Sequence, residues 1–182
     1  MRGRDQVAAV CYRIRNRKIE FLLVQTRGGR WTFPKGSAEP GLTPAQAAAL
    51  EAFEEAGVHG RMEEACFAQY RHRKRSSRKS GGGEMVVRAH LCEVLWLGPP
   101  QENNRNPSWF SFEKTKKKLV DRRSVSEGAE VVRVVESAVA RIQRRRNHFP
   151  VIIDALQKVS LTAGRLASRV VKNKPFLVLK RP

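Results

Sequence analysis

The chain has 182 residues, 41% hydrophobic and 29% charged, which suits one domain with room for a sizeable core and an appendage. Its 36 Lys and Arg against 17 Asp and Glu give a formal charge of +19, pointing to polyanionic partners: phosphate-rich small molecules, nucleic acid or an anionic surface. Cys11, Cys66 and Cys92 are odd in number and far apart with no CxxC, so neither a disulfide framework nor a zinc site is suggested. No apolar run approaches membrane-spanning length, and MRGRDQ does not open a signal peptide, so a reducing cytoplasm is expected.

Residues Gln6 to Ile14 read as a strand carrying Val7, Ala8, Val10 and Tyr12. Asn16-Arg17 reads as a turn, and Ile19 to Gln25 as a second, more continuously apolar strand. A Gly28-Gly29 loop and a short strand, Arg30 to Phe33, follow. The next helix is well marked. Thr43 suits the N-cap, Pro44 the first helical position, and Gln46 completes a capping box; alanines favour helix and Gly57 stops it.

Glu51, Glu54 and Glu55 sit at i, i+3 and i+4, so their carboxylates share a helix arc of about 100°. They crowd the last turns, where the dipole disfavours an exposed anion by about 0.3–1 kcal/mol. A divalent cation reverses the sign of these terms, and clustered carboxylates are hard-oxygen ligands suited to Mg²⁺. A solvated acidic helix end is the other reading of the spacing. No GK[ST] is present, so the Gly-rich loop is no P-loop.

Further on, Arg61 to Tyr70 reads as a strand, and Arg71 to Gly83 (RHRKRSSRKSGGG) as a basic loop. Met85 to Leu97 reads as a long strand, and Gly98 to Asn106 as a Pro/Asn-rich connection. Ser108 to Phe112 reads as a short strand, Glu113 to Val120 as a short helix, and Val125 to Arg144 as an amphipathic helix with Val131, Val134, Val135, Ala138 and Ile142 at helical spacing. Strands broken by one early helix and closed by a late one suit an α+β or αβα sandwich. Trp31 and Trp109 read as core aromatics rather than base-stacking platforms. His72 reads as a polar loop residue rather than a catalyst, and His59, His90 and His148 form no constellation.

The stretch GSAEPGLTPAQAAALEAFEEAGV, Gly36 to Val58, resembles the Nudix box: Gly, five residues, Glu, seven residues, then Arg-Glu-U-x-Glu-Glu-x-Gly-U, with U aliphatic. Gly36, Glu51, Glu54, Glu55, Gly57 and Val58 match. Leu42 stands where the first Glu is expected and Leu50 where the Arg is expected. The resemblance covers about residues 6–145. It implies the Nudix fold, an αβα sandwich with a mixed sheet and a loop-helix-loop catalytic motif, in a domain 1–146 followed by a basic extension 147–182.

By the same resemblance, Glu51, Glu55 and the Gly36 carbonyl hold Mg²⁺, with Mn²⁺ as the alternative, and Glu54 is the base for water attack on phosphorus. The family's Arg braces the acids, a role Leu50 cannot take, which leaves Arg27 or Arg30 as substitutes. Three features resemble the diphosphoinositol polyphosphate and diadenosine polyphosphate hydrolase branch. They are Ala47 to Gly60, the Arg71-His72-Arg73 run before the next strand, and Trp109-Phe110-Ser111-Phe112-Glu113. The implied substrate is polyphosphorylated, with Arg30, Lys35, Arg71, Arg73 and Lys74 as the grips. The competing expectations are a catalytically weak Nudix-fold protein that binds nucleotide or nucleic acid through the 71–80 loop and basic tail, and a hydrolase of RNA ends.

Overall fold

In a computed structural model, residues 5–73 and 84–147 are described. Strand β1 (Gln6–Arg15) turns back into β2 (Lys18–Gln25) through Asn16 and Arg17. Both turn residues take the left-handed conformation, φ 49° and 62°, that a two-residue hairpin turn needs. The hairpin is short-lived: β1 and β2 pair only from Tyr12↔Phe21 to Arg15↔Lys18.

The other half of that β1 edge goes to a strand that periodicity did not reveal. After β3 (Trp31–Thr32), residues Lys35–Ser37 form β4, antiparallel to Gln6–Ala8, and the Ala9 N–H donates to the Pro34 carbonyl at 2.9 Å. Three residues are too few for an alternation pattern, so only tertiary pairing declares β4. Its consequence is functional, since it carries Lys35 and Gly36 against the end of the following helix.

Helix α1 (Pro44–Ala56) buries Ala45, Ala47, Ala48, Ala52 and Ala56. Methyl-sized side chains let it lie close on Val7, Ala9, Cys11 and Cys92 of the sheet. Gly57, at φ 65°, closes the helix, and its N–H returns to the Phe53 carbonyl at 2.8 Å.

Strand β5 (Val58–Arg73) starts directly after that glycine rather than at Arg61, and runs through Arg73 rather than ending at Tyr70. Pairing with β6 (Glu84–Leu97) explains the extra length, because it satisfies the main chain from Val58↔Leu97 to Arg73↔Glu84 across several bulges. The first three residues of the expected basic loop are therefore strand. Lys74, the rest of the 71–83 loop and residues 148–182, including His148, lie outside the described residues, as does the side chain of Arg73.

The sheet order is β3-β2-β1-β6-β5, with β4 on β1 and β7 (Ser108–Ser111) on β2. The β1–β6 pair is parallel and the other pairs are antiparallel, so the sheet is mixed as expected. Every residue from Val7 to Tyr12 is buried, so both faces of β1 are covered.

Phe112 opens helix α2 (Phe112–Val120) instead of closing β7, with Ser111 as N-cap. Helix α3 spans residues 125–147. The chain divides into two compact units, residues 1–140 and 141–182. In the first, α3 buries Val131, Val134, Val135 and Ala138 at the expected spacing. In the second, the described residues 141–147 are helical. Cys11 and Cys92 are buried partners in register on neighbouring strands, and Cys66 is exposed. No helix among the described residues is long and apolar enough to cross a membrane.

Candidate active site

The acids are placed by the helix that bears them. The capping box forms as expected: Gln46 N–H donates to Thr43 Oγ1 at 3.2 Å, and Thr43 N–H to Gln46 Oε1 at 2.9 Å. With Gly57 fixing the other end, the last two turns cannot slide. Glu55 lies three residues past Ala52 on the stripe that faces the sheet, and is 2% exposed.

A carboxylate buried so completely requires partners. Lys35 N–H of β4 donates to Glu55 Oε2 at 3.2 Å, and Arg105 Nη2 reaches Oε1 at 2.7 Å. Burial nevertheless pushes the Glu55 carboxyl up to about 7, against the opposing pull of Arg105 and the Lys35 hydrogen bond.

Glu51 lies over the main chain of β4. An ideal Cβ on Gly36 would fall 1.6 Å from Glu51 Oε1, so only glycine leaves room for that carboxylate. Burial, then repulsion from Glu54 and Glu102, raises the Glu51 carboxyl above the usual range.

Glu54 contributes a second anchor through its carbonyl, which accepts from the N–H groups of Gln101 and Glu102, both at 2.9 Å. This latches the 98–106 connection to the helix end. Gly98 N–H adds a bond to the Gly57 carbonyl at 2.7 Å.

The same connection delivers the cation that sequence reasoning sought elsewhere. Arg105 pairs with both Glu55 and Glu102 at 2.7 Å, whereas Arg27 and Arg30 had been the candidates for bracing the acids. Arg27 lines an open cleft of about 670 Å³ with Glu102, Asn103, Asn104 and Arg105. Arg30 lies instead near Lys35, His72 and Arg123. The signal missed was topological: Arg105 is 50 residues from Glu55 and belongs to no motif.

That group comprises the cations Arg30, Lys35 and Arg123, with the imidazole of His72 among them. Burial is the first cause holding Lys35 below its ordinary value, with Arg30 and Arg123 adding to it and Glu55 opposing. Burial and then the charges of Lys35, Arg30 and Arg123 press His72 down to about 4. Burial and then Arg30 bring Arg123 down to about 10. Arg123 is pinned from the α2–α3 turn by bonds to the carbonyls of Leu119 and, at 3.1 Å, Trp31. The hydroxyl of Tyr70 beside them is buried, with no hydrogen-bond partner among the described residues. His72, which had read as a plain loop residue, is thus a strand residue inside this group, and Arg123 and Tyr70 join it unforeseen.

Arg71 lines a groove of about 760 Å³ with Gln69, Tyr70, Glu130 and Arg133, and its main-chain N–H donates to Glu130 at 2.5 Å. Leu42 is exposed and Leu50 half-buried, with no acid or base at either box position. His90 is buried, with Nδ1 3.2 Å from the Glu63 carbonyl, and His59 stacks on Trp96 at 3.5 Å. Trp31 packs edge-on against Phe110 at 4.9 Å, and Arg13 covers Trp109 at 4.2 Å.

Among the described residues no three acidic, His or Cys side chains converge as a ready metal cage. The donor set still fits a hard divalent cation. A buried carboxylate, Glu55, lies on the Lys35 N–H and a half-buried one, Glu51, lies on bare Gly36 main chain where a Cβ would fill the space, and both have raised proton affinity.

Residues 4–127 match the family model of the NUDIX domain. A structure of a C. elegans Ap4A hydrolase binary complex superposes with TM-score 0.60 at 24% identity, covering 78% of this chain and 98% of its own. Another structure of C. elegans Ap4A hydrolase gives 0.57 at 26% identity, covering 76% and 98%. Shewanella oneidensis NrtR complexed with a 27mer DNA gives 0.54 at 16% identity, covering 78% and 63%, a likeness of fold. With its box in place on a mixed sheet, the chain belongs to the NUDIX domain family, and its enzyme class is that of the Nudix pyrophosphohydrolases.

Proposed function

We propose that the protein hydrolyses a phosphoanhydride bond in a nucleoside-diphosphate-linked or polyphosphorylated small molecule, with Mg²⁺ as cofactor and a dinucleoside polyphosphate or diphosphoinositol polyphosphate as favoured substrate. The observation that carries this reading is the juxtaposition at Lys35: its N–H holds Glu55, and its ammonium group belongs to the cluster of Arg30, His72 and Arg123. Acids able to hold a divalent cation and bases able to hold phosphate meet there.

Glu51, Glu55 and the Gly36 carbonyl would hold Mg²⁺ or Mn²⁺, which when bound supplies charge for phosphate oxygens and lowers the pKa of water. Glu54 accepts the proton of the attacking water as its oxygen bonds to phosphorus and the bridging P–O bond breaks. Arg30 and Lys35, joined by Arg123 and His72, grip the remaining phosphates, and the Tyr70 hydroxyl can donate to one. Preorganised cations of this kind lower the barrier because charge spreads over equatorial oxygens in phosphoryl transfer. The Ap4A hydrolase likeness supports a substrate with several consecutive phosphates.

The test is hydrolysis of dinucleoside polyphosphates, diphosphoinositols, ADP-ribose and triphosphorylated RNA, with products separated by anion-exchange chromatography, with and without Mg²⁺. Metal-dependent cleavage of a polyphosphorylated small molecule is the expected result. The second reading is a binding protein for nucleotide or nucleic acid. It is favoured by Leu42, Leu50 and the charge of +19, and the NrtR–DNA likeness is compatible with it. Salt-sensitive RNA affinity with no turnover on any member of the panel would establish it.

A further inference from the structure

We propose that Arg105 is a positioning residue that takes over, from outside the helix, the bracing of the catalytic acids that Leu50 cannot perform. The inference rests on the metal-dependent reading above. The box lacks a base at its expected place, yet Glu55 is 2% exposed and needs a counter-charge to remain a carboxylate in a fixed rotamer. Arg105 supplies it at 2.7 Å with a side chain itself only 22% exposed.

Its position does not depend on the ion pair. The Arg105 carbonyl accepts from Gln25 N–H of β2 at 2.6 Å. The next residue, Asn106, donates from Nδ2 to Gln25 Oε1 at 2.8 Å. Upstream, the carbonyl of Glu54 holds Gln101 and Glu102. The loop is therefore fixed at both ends by bonds that leave the guanidinium free to serve the acids.

Glu102 completes the device. Arg105 Nε and Nη2 both reach Glu102 Oε2 at 2.7 Å, and the same Nη2 serves Glu55 Oε1. Arg105 thus holds Glu55 in place against the Lys35 N–H before a cation arrives. It has Glu102 as a second partner when a cation claims Glu55, so the guanidinium is never left unpaired. Residues that orient metal ligands in this way are worth about 10–100-fold in metal affinity or activity.

The experiment measures Mn²⁺ affinity by electron paramagnetic resonance and thermal unfolding in the full chain and in Arg105→Ala, Arg105→Lys and Arg27→Ala. It adds kcat and KM on whichever substrate the panel identifies. Expected is a loss of about 10–100-fold in Mn²⁺ affinity for Arg105→Ala. Arg105→Lys should recover most of that loss, and Arg27→Ala should match the parent. Where turnover is measurable, kcat should fall with KM little changed. Should Arg105→Ala fail to fold, the neutral Arg105→Gln decides: a folded variant about tenfold or more weaker in Mn²⁺ affinity supports the brace, and one within about threefold of the parent overturns it. Parent-like Mn²⁺ binding by a folded Arg105→Ala, or a loss only in Arg27→Ala, overturns the assignment while leaving the hydrolase reading intact. A parent chain that binds no Mn²⁺ overturns both.

Discussion

Gly36 and Glu51 cannot both keep their places if residue 36 gains a side chain: a Cβ there would lie 1.6 Å from Oε1 of Glu51. The neighbour that would have to move is the far end of a flexible side chain, so the fold can adapt and the site cannot. Gly36→Ala is expected to unfold within a few degrees of the parent while losing at least about 100-fold in turnover, since a displacement of an ångström at a catalytic group has that effect. Melting curves alongside initial rates check it. Equal losses of stability and rate, or neither, would contradict it.

Glu54→Gln separates chemistry from architecture. Its carbonyl, not its carboxylate, holds Gln101 and Glu102, so the amide leaves the latch intact. Turnover should drop about 10²–10⁴-fold, the range of a lost general base. The melting temperature should stay put. A variant that keeps most of the parent rate with Mg²⁺ would remove Glu54 from the role.

Glu55 makes stability depend on pH in a direction opposite to most carboxylates. Its folded-state value is raised to about 7 from an ordinary 4.5. The folded state therefore binds more protons than the unfolded between those limits, and stability falls as pH rises from about 4.5 through 7. Glu55→Gln should flatten that slope and, at pH 8 without divalent cation, gain up to about 3 kcal/mol relative to the parent. Urea unfolding at pH 5 and pH 8 checks it.

His72 works the other way. Its value is lowered to about 4 from an ordinary 6.5, so its contribution is fully present above 6.5 and is lost as pH falls through about 4. Pyrophosphate placed among Arg30, Lys35 and Arg123 offsets the positive charges that press on it. Adding inorganic pyrophosphate should raise the His72 titration midpoint, read by imidazole NMR. An unmoved midpoint under saturating pyrophosphate would detach this cluster from phosphate binding.

Arg30→Ala removes one cation from a self-repelling group without touching the acids. KM for a polyphosphorylated substrate should rise about tenfold, the worth of one charge-assisted contact of roughly 1.4 kcal/mol. Stability should not fall, because a repulsion is relieved. Steady-state kinetics at low and high salt check both the size and its screening.

Much of the architecture could be read from local pattern. The alternating and continuous apolar runs located β1, β2, β5 and β6, and the spacing of Val131, Val134, Val135 and Ala138 located α3. Thr43, Pro44, Gln46 and Gly57 located both ends of α1, because caps are chemistry between near neighbours. Elements whose existence depends on a distant partner escaped. β4 has three residues and forms only because β1 offers it an edge, and β5 gains its ends by pairing with β6.

The site divides along the same line. The sequence by itself determined the acidic arc of Glu51, Glu54 and Glu55, since residues three and four apart on a helix are neighbours whatever surrounds them. Only the tertiary structure decided which acid is buried, that Arg105 rather than Arg27 or Arg30 is its counter-charge, and that Arg123, His72 and Tyr70 stand together beside Lys35. Charge pairing across a sheet and a loop depends on distance through space, and distance through space is what chain order does not contain.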